Sequence, residues 1–222
     1  MSKRTALVTG ASGGIGTEIT KTFIRNGIDV ISPDIEEMNL LDINSIDKYI
    51  EKISRPIDIL INNAGINPLD FISELKDQNI NQLMQINLLA PIRLTKLLCK
   101  GMMDRNYGRI INISSIWSVV SKEKRSMYSV TKAGLDSFTR SSAVEFAKYN
   151  ILVNSIAPGF IETDLTRQNN TEEQLNTIKK AIPLNRLAAP EEVAEAVYFF
   201  ASEKNTFITG QTILIDGGYS CL

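Results

Sequence analysis

Two periods alternate along this chain of 222 residues. Short continuous apolar runs of strand length are separated by longer stretches in which apolar residues return every third or fourth position. Thr5–Thr9 (TALVT) predicts a buried strand, and Ile15–Asn26 predicts a helix with Ile15, Ile19, Phe23 and Ile24 on one face and Gly27 as its stop. Asp29–Pro33 (DVISP) and Ile57–Asn62 (IDILIN) predict two more strands. The second is nearly continuous in Ile and Leu, as a strand covered on both faces should be. Ile80–Arg105 reads as a long helix, Arg109–Ser114 as a strand, Met127–Tyr149 as a second long helix and Ile151–Ala157 as a strand. Pro190–Ser202, opened by a proline and two acids, reads as a helix, and Gln211–Asp216 closes the series as a strand. Such alternation predicts an α/β fold, a doubly wound parallel sheet between two helical layers, in one domain spanning residues 1–222.

One interval breaks the pattern. Asp34 ends the second strand and Ser45–Ile53 reads as a helix, so only Ile35–Asp42 lies between them. A parallel crossover takes about a dozen residues or more, usually with a helix. The usual helix after strand two is therefore missing, and any third strand, at Met38–Leu41, has to be short and reached by a tight return.

Composition narrows the class. Hydrophobic residues at 43% and charged residues at 22% are ordinary for a soluble domain with a substantial core. A net charge of −1 supplies no field for nucleic acid or an anionic membrane. No apolar run approaches the ~18 residues of a membrane span. The N-terminal stretch MSKRTALVTG runs into the first strand with no room for a signal peptide, which leads us to expect a cytoplasmic protein. With only Cys99 and Cys221 and no histidine, a zinc or iron–sulfur site is not expected, and the usual proton carrier near neutral pH is missing.

The residues with chemistry gather where strands end. TGASGGIG (Thr9–Gly16) joins the first strand to the first helix, with glycines at 10, 13, 14 and 16. Such a loop lets the backbone turn sharply, approach a pyrophosphate and open a helix whose N-terminus attracts anions. Asp34, at the end of the next strand, can accept hydrogen bonds from an adenosine ribose and would repel a 2′-phosphate. No arginine replaces Gly13 or follows Asp34, so NAD(H) is expected over NADP(H), which stays open. An ordinary turn and a solvated strand-end aspartate are the plain alternatives. Tyr128 and Lys132 are four apart on a helix and share a face. A nearby ammonium favours phenolate, which would lower the tyrosine pKa from about 10 and let it carry protons in place of histidine. Alone, such a pair is more often an exposed helix feature. Here Ser115 ends the RIINISS run, INNAG (Ile61–Gly65) ends a central strand, Asn87 lies in the helix after it, and NSIAPGFIETDLT (Asn154–Thr166) follows another strand. Each group sits at the C-terminal edge of a parallel sheet, where open α/β folds bind ligands.

In the joint spacing of TGASGGIG, NNAG, Asn87, NISS, YSVTK and APGFIET, from Thr5 to about Gly218, the chain resembles the short-chain dehydrogenase/reductase family. The C-terminal stretch from Pro190 to Gly218 looks most like the branch that holds the 3-oxoacyl-[acyl-carrier-protein] reductases. The resemblance implies a Rossmann-type sheet of about seven strands and assembly into homodimers or homotetramers. It implies Tyr128 as general acid/base, Lys132 as the group that tunes it and holds the nicotinamide ribose, Ser115 on the substrate oxygen, and Asn87 in a water-linked proton relay to Lys132. Gly10, Ser12, Gly13, Gly14, Ile15, Gly16 and Asp34 would hold the adenosine and pyrophosphate side, with Asp42 and Ile43 flanking the adenine. Asn63, Ala64 and Gly65 would line the cofactor, and Pro158, Gly159, Ile161 and Thr163 its nicotinamide side. The activity implied is hydride transfer between a nicotinamide dinucleotide and a small or carrier-linked carbonyl or secondary alcohol. The alternatives are an NADP(H)-dependent 3-oxoacyl-[acyl-carrier-protein] reductase and, from another class, a dinucleotide-sensing scaffold without turnover.

Substrate contacts are less specified. Trp117 and Phe160 are candidates for the pocket wall, with core or interface packing an equal reading for Trp117. Lys122, Lys124 and Arg125 stand near the expected mouth and could meet a phosphate, a carboxylate or a carrier protein, although a solvated loop or a subunit contact is the preferred reading. Phe160–Ile182 is expected to form a mobile polar lid.

Overall fold

Six parallel strands form the sheet of this computed structural model, which describes residues 3–168 and 170–222, without the side chains of Asp164 and Leu165. Asn169, inside the expected lid, lies outside the described residues. In chain order the elements are β1 (Thr5–Val8), α1 (Gly14–Arg25), β2 (Asp29–Ile31), α2 (Ile43–Lys52), β3 (Ile59–Asn62), α3 (Asp77–Met84), α4 (Ala90–Asp104), β4 (Gly108–Ile113), α5 (Ser126–Phe146), β5 (Ile151–Pro158), α6 (Asp164–Gln168), α7 (Glu172–Ala181), α8 (Pro190–Ala201) and β6 (Thr212–Ile215). The strand order is β2-β1-β3-β4-β5-β6, and every neighbouring pair is parallel.

Alternation along the strands explains why both faces are covered. Ala6, Val8, Ile59, Ile61 and Ile111 point to one side, against Ile19 and Phe23 of α1 and Val193 and Val197 of α8. Leu7, Leu60, Ile110 and Val153 point to the other, against Ile46 of α2, Leu94 and Met102 of α4 and Ala143 of α5. With apolar residues at both phases of the pleat, a one-residue slip has no polar face to expose, and the crossover helices set the register instead.

The sheet has one strand fewer than the seven expected. The helix after β2 is missing, as the spacing implied, but Met38–Leu41 forms no strand. The Asp34 carboxylate accepts the amides of Glu36 and Glu37, both at 2.9 Å, and Met38 N donates to the Asp34 carbonyl at 2.9 Å. These bonds wind the chain into a turn rather than an extended edge. Met38 then packs into the core with Ile46 of α2 at 3% exposure. The chain passes from β2 through α2 directly to β3, on the far side of β1. That reversal opens a crevice at the C-terminal ends of β1 and β3, the usual ligand position in open α/β sheets.

The long helix predicted at 80–105 begins three residues earlier and is interrupted. Between α3 and α4, Gln85–Leu89 makes a π turn, so one extra residue enters the ladder and Asn87 is brought round to face the crevice.

Candidate active site

The glycine loop is shaped by close approaches. Gly10 has φ +65°, and a Cβ there would lie 2.8 Å from the Ala64 Cα. A Cβ on Gly16 would lie 2.1 Å from the Gly10 carbonyl oxygen and 2.6 Å from Asn63 Nδ2. Asn63 does not present its amide to the crevice: Nδ2 donates to the carbonyls of Thr9 (3.0 Å) and Gly10 (2.9 Å). Thr9 Oγ1 accepts the amides of Asn63 and Ala64 in return. The loop is thereby stitched to the end of β3, and the lining from that strand is backbone. Gly13 caps α1 with no side-chain acceptor and the first turn holds no acid, so the helix N-terminus is left to an outside anion. Ser12, Gly14 and Ile15 complete this turn, and a Cβ on Gly14 would touch the Thr163 methyl at 2.7 Å.

A cavity of about 330 Å³ opens beside the loop, lined by Ala11, Ser12, Thr17, Lys21, Ser32 and Asp34 among others. Asp34 lines this cavity, but one of its oxygens is already occupied by the turn amides. Lys21 is the one cation in the lining, and it donates to Glu18 at 2.7 Å. Asp42 and Ile43 are not in this lining. Asp42 caps α2 through Asn44 N at 2.9 Å, and Ile43 is the first residue of that helix, both consequences of the missing third strand.

The residues expected at the reacting end come from four places: the segments after β3 and β4, the π turn and α5. Asn87, buried in the π turn, binds Ile66 on both sides: Oδ1 accepts its amide and Nδ2 donates to its carbonyl, each at 2.9 Å. A Cβ on Gly65 would lie 3.4 Å from Asn87 Oδ1 and 3.5 Å from Lys132 Nζ, which brings these three residues to one point. Lys132 Nζ donates to the Ile113 carbonyl at 2.7 Å and lies 5.6 Å from the Tyr128 ring centroid. Ser115, two residues after β4, is buried, with its hydroxyl accepting the Trp117 amide at 3.3 Å. The register of α5, which carries Tyr128 and Lys132, is held by a buried polar chain. Asn62 donates to Asn112, Asn112 to Thr139, and Thr139 shares a bond with Ser155, each at 2.8 Å. Nothing in the spacing of the sequence pointed to this chain.

Charge at the site differs from expectation in one respect. Lys132 is buried at 3% exposure, and desolvation pushes its ammonium down to about 8 while Asp136, one turn on, pulls it up. The Tyr128 phenol was expected to be lowered by Lys132. Burial raises it instead, with the Ser115 hydrogen bond and then the Arg125 charge acting in the opposite sense. The lysine charge is itself weakened by burial and directed at the Ile113 carbonyl, so the cost of a buried phenolate dominates.

The nicotinamide-side candidates follow β5. Pro158 ends the strand, Gly159 packs so closely that a Cβ would lie 2.8 Å from the Asp216 Cβ, and buried Ile161 bridges Ala188. Trp117 is nearly buried and meets Phe160 edge-on at 5.9 Å. Tyr219, which the sequence did not single out, closes the triangle at 6.4 Å from Trp117 and 5.2 Å from Phe160. The segment expected as a lid is built from α6 and α7, and Leu175 and Ile182 pack with Leu187 under it.

Residues 41–220 match the family model described as enoyl-(acyl carrier protein) reductase. The chain belongs to the short-chain dehydrogenase/reductase family. It is 37% identical over 234 residues to the 3-oxoacyl-[acyl-carrier-protein] reductase FabG of Escherichia coli (strain K12), covering 96% of this chain and 96% of that protein. Among solved structures, ElxO with NADP bound superposes with a TM-score of 0.91 at 29% identity, covering 100% of each chain. A gluconate 5-dehydrogenase from Burkholderia cenocepacia J2315 in complex with NADP and tartrate gives 0.86 at 27% identity, covering 100% of this chain and 97% of that one. This enzyme is an oxidoreductase that acts between a CH–OH group and its carbonyl with a nicotinamide cofactor. Among the described residues, no helix is long and apolar enough to cross a membrane.

Proposed function

We propose that this enzyme reduces the 3-oxo carbonyl of an acyl group to a secondary alcohol, with Tyr128 as the proton donor. The convergence of Asn87, Gly65 and Lys132 within 3.5 Å of one point, beside Tyr128, carries this reading. A bound nicotinamide dinucleotide would supply the hydride. Gly13, Gly14 and Ile15 at the α1 N-terminus suit its pyrophosphate, and the Gly65 backbone and Lys132 suit its ribose. Ser115 would hold the carbonyl oxygen by a hydrogen bond, and the Tyr128 hydroxyl would deliver its proton to that oxygen as charge develops there. A phenol raised by burial is protonated at neutral pH, the form reduction requires. The acyl assignment rests on the 3-oxoacyl-[acyl-carrier-protein] reductase relatives, whose names put the group on a carrier protein.

On cofactor, two solved relatives hold NADP, which makes NADP(H) the first reading. Asp34 favours NAD(H): its carboxylate sits in the cavity where a 2′-phosphate would lie, and the lone cation there is paired to Glu18. Fluorescence titration with NADH and NADPH separates the two. If Asp34 repels the phosphate, Asp34→Asn should tighten NADPH by ~10-fold relative to NADH; an unchanged ratio removes Asp34 from the choice. Turnover is tested by following nicotinamide absorbance with 3-oxoacyl thioesters, where no consumption with either cofactor would contradict the proposed reaction.

A further inference from the structure

In the segment after β3, one polar atom is buried without a partner. Asn67 Oδ1 is shielded from solvent, and no described residue donates to it. The neighbouring amides are satisfied: Asn63 on the Thr9 and Gly10 carbonyls, and Asn87 on the backbone of Ile66. Asn67 follows Ile66 directly, so the two Asn87 bonds fix where it starts. Gly65, at the point where Asn87 and Lys132 converge, is two residues away, within about 7 Å along the chain. Neither Ile66 nor Pro68 belongs to an apolar core cluster, and Gly65, Leu69, Phe71 and Ile72 are exposed. The segment therefore borders the open side of the crevice. Its outer end meets the segment before α5, where Lys124 Nζ lies 4.4 Å from the Phe71 ring centroid. Lys122 there is exposed, and Arg125 has its Cζ 5.6 Å from the Trp117 ring centroid. None of these three cations donates to Asn67 Oδ1.

A buried acceptor without a donor is unfavourable, and that cost is relieved when a ligand brings the donor. A 3-oxoacyl group has no N–H or O–H to give. The arm of a thioester has one where it carries an amide two carbons from sulfur. That N–H stands six bonds from the reacting carbonyl carbon, a reach of roughly 7 Å. We infer that Asn67 Oδ1 accepts this amide N–H, so that the enzyme selects thioesters whose arm bears an amide at that position. The exposed side chains of Leu69, Phe71 and Ile72 offer apolar surface beside it for the methylenes of the arm. This rests on the placement of the reacting carbonyl at Ser115 and Tyr128 proposed above.

The test compares S-(2-acetamidoethyl) 3-oxobutanethioate with its S-(2-acetoxyethyl) counterpart, which differs only in an oxygen where the amide has its N–H. The wild-type enzyme should show kcat/KM at least ~10-fold higher for the amide, since the ester leaves the buried acceptor unpaired. In Asn67→Leu that ratio should fall to about one, whereas Asn67→Asp keeps an acceptor oxygen and should hold most of it. Equal turnover of amide and ester by the wild type, or an unchanged ratio in Asn67→Leu, would overturn the inference and leave the reductase reading standing. The wild-type comparison alone decides the point if a variant does not fold; a thermal midpoint within about 3 °C of wild type shows that it does. Calorimetric titration with the matching butanethioates, which have no 3-oxo group to reduce, gives a second readout with cofactor present. A preference for the amide that is lost in Asn67→Leu, while neither oxo compound turns over, would support the N–H contact and sink the proposed reaction. Equal binding of the two butanethioates by the wild type would overturn the contact.

Discussion

Lys132 has to carry a charge in a place that resists one. Its ammonium is buried and lowered from 10.5 to about 8, so between those values the native state binds fewer protons than the unfolded chain. The sign follows: the penalty is fully present below about 8 and is relieved as pH rises towards 10.5. Denaturant titrations of wild type and Lys132→Met across this window should show the wild type gaining about 3 kcal/mol on the variant as pH rises; a constant gap would mean the lysine is not desolvated. Asp136, buried at 4% exposure, acts against the desolvation. In Asp136→Asn the decline of reductive kcat/KM, expected above about 8 in the wild type as Lys132 loses its proton, should move to lower pH. The placement of Ser115, Tyr128 and Lys132 was legible because their spacing puts them at strand and helix ends on one sheet edge. The direction of the Tyr128 shift was not. A sequence shows that two groups are neighbours but not how much water each loses.

At the level of elements, the glycine loop and the π turn make contrasting demands. Gly13→Ala should be tolerated, since its Cβ would lie 3.6 Å from the nearest atom, the Gly10 carbonyl oxygen. Gly16→Ala should weaken dinucleotide binding by more than ~10-fold and lower the thermal midpoint, because its Cβ would be 2.1 Å from the same oxygen. Equal behaviour of the two variants, measured by cofactor fluorescence and melting, would contradict the loop geometry. The strands and crossover helices were readable from apolar period alone, to within a few residues at each end. The π turn was not, because the apolar positions from Leu83 to Leu98 continue through it. Its signature is one extra residue of phase in the backbone of Gln85–Leu89.

For the whole molecule, the shortened β2–β3 connection is the main departure, and half of it was readable. Eight residues cannot hold a helix and a strand, so the missing helix followed from counting. The missing strand depended on the Asp34 carboxylate choosing the Glu36 and Glu37 amides, a local competition that no periodicity records. The far end of the chain returns to the site through Tyr219, which has no pattern around it to mark it. Tyr219→Ala should raise the KM for the carbonyl substrate several-fold while leaving cofactor affinity within about 2-fold of wild type; equal loss of both would assign Tyr219 to general packing. The central measurement is turnover by Tyr128→Phe, with cofactor binding followed in parallel. A fall in kcat of ~10³-fold with NADH and NADPH affinities unchanged is the expected result, whereas wild-type turnover without the Tyr128 hydroxyl would contradict its place as the proton donor.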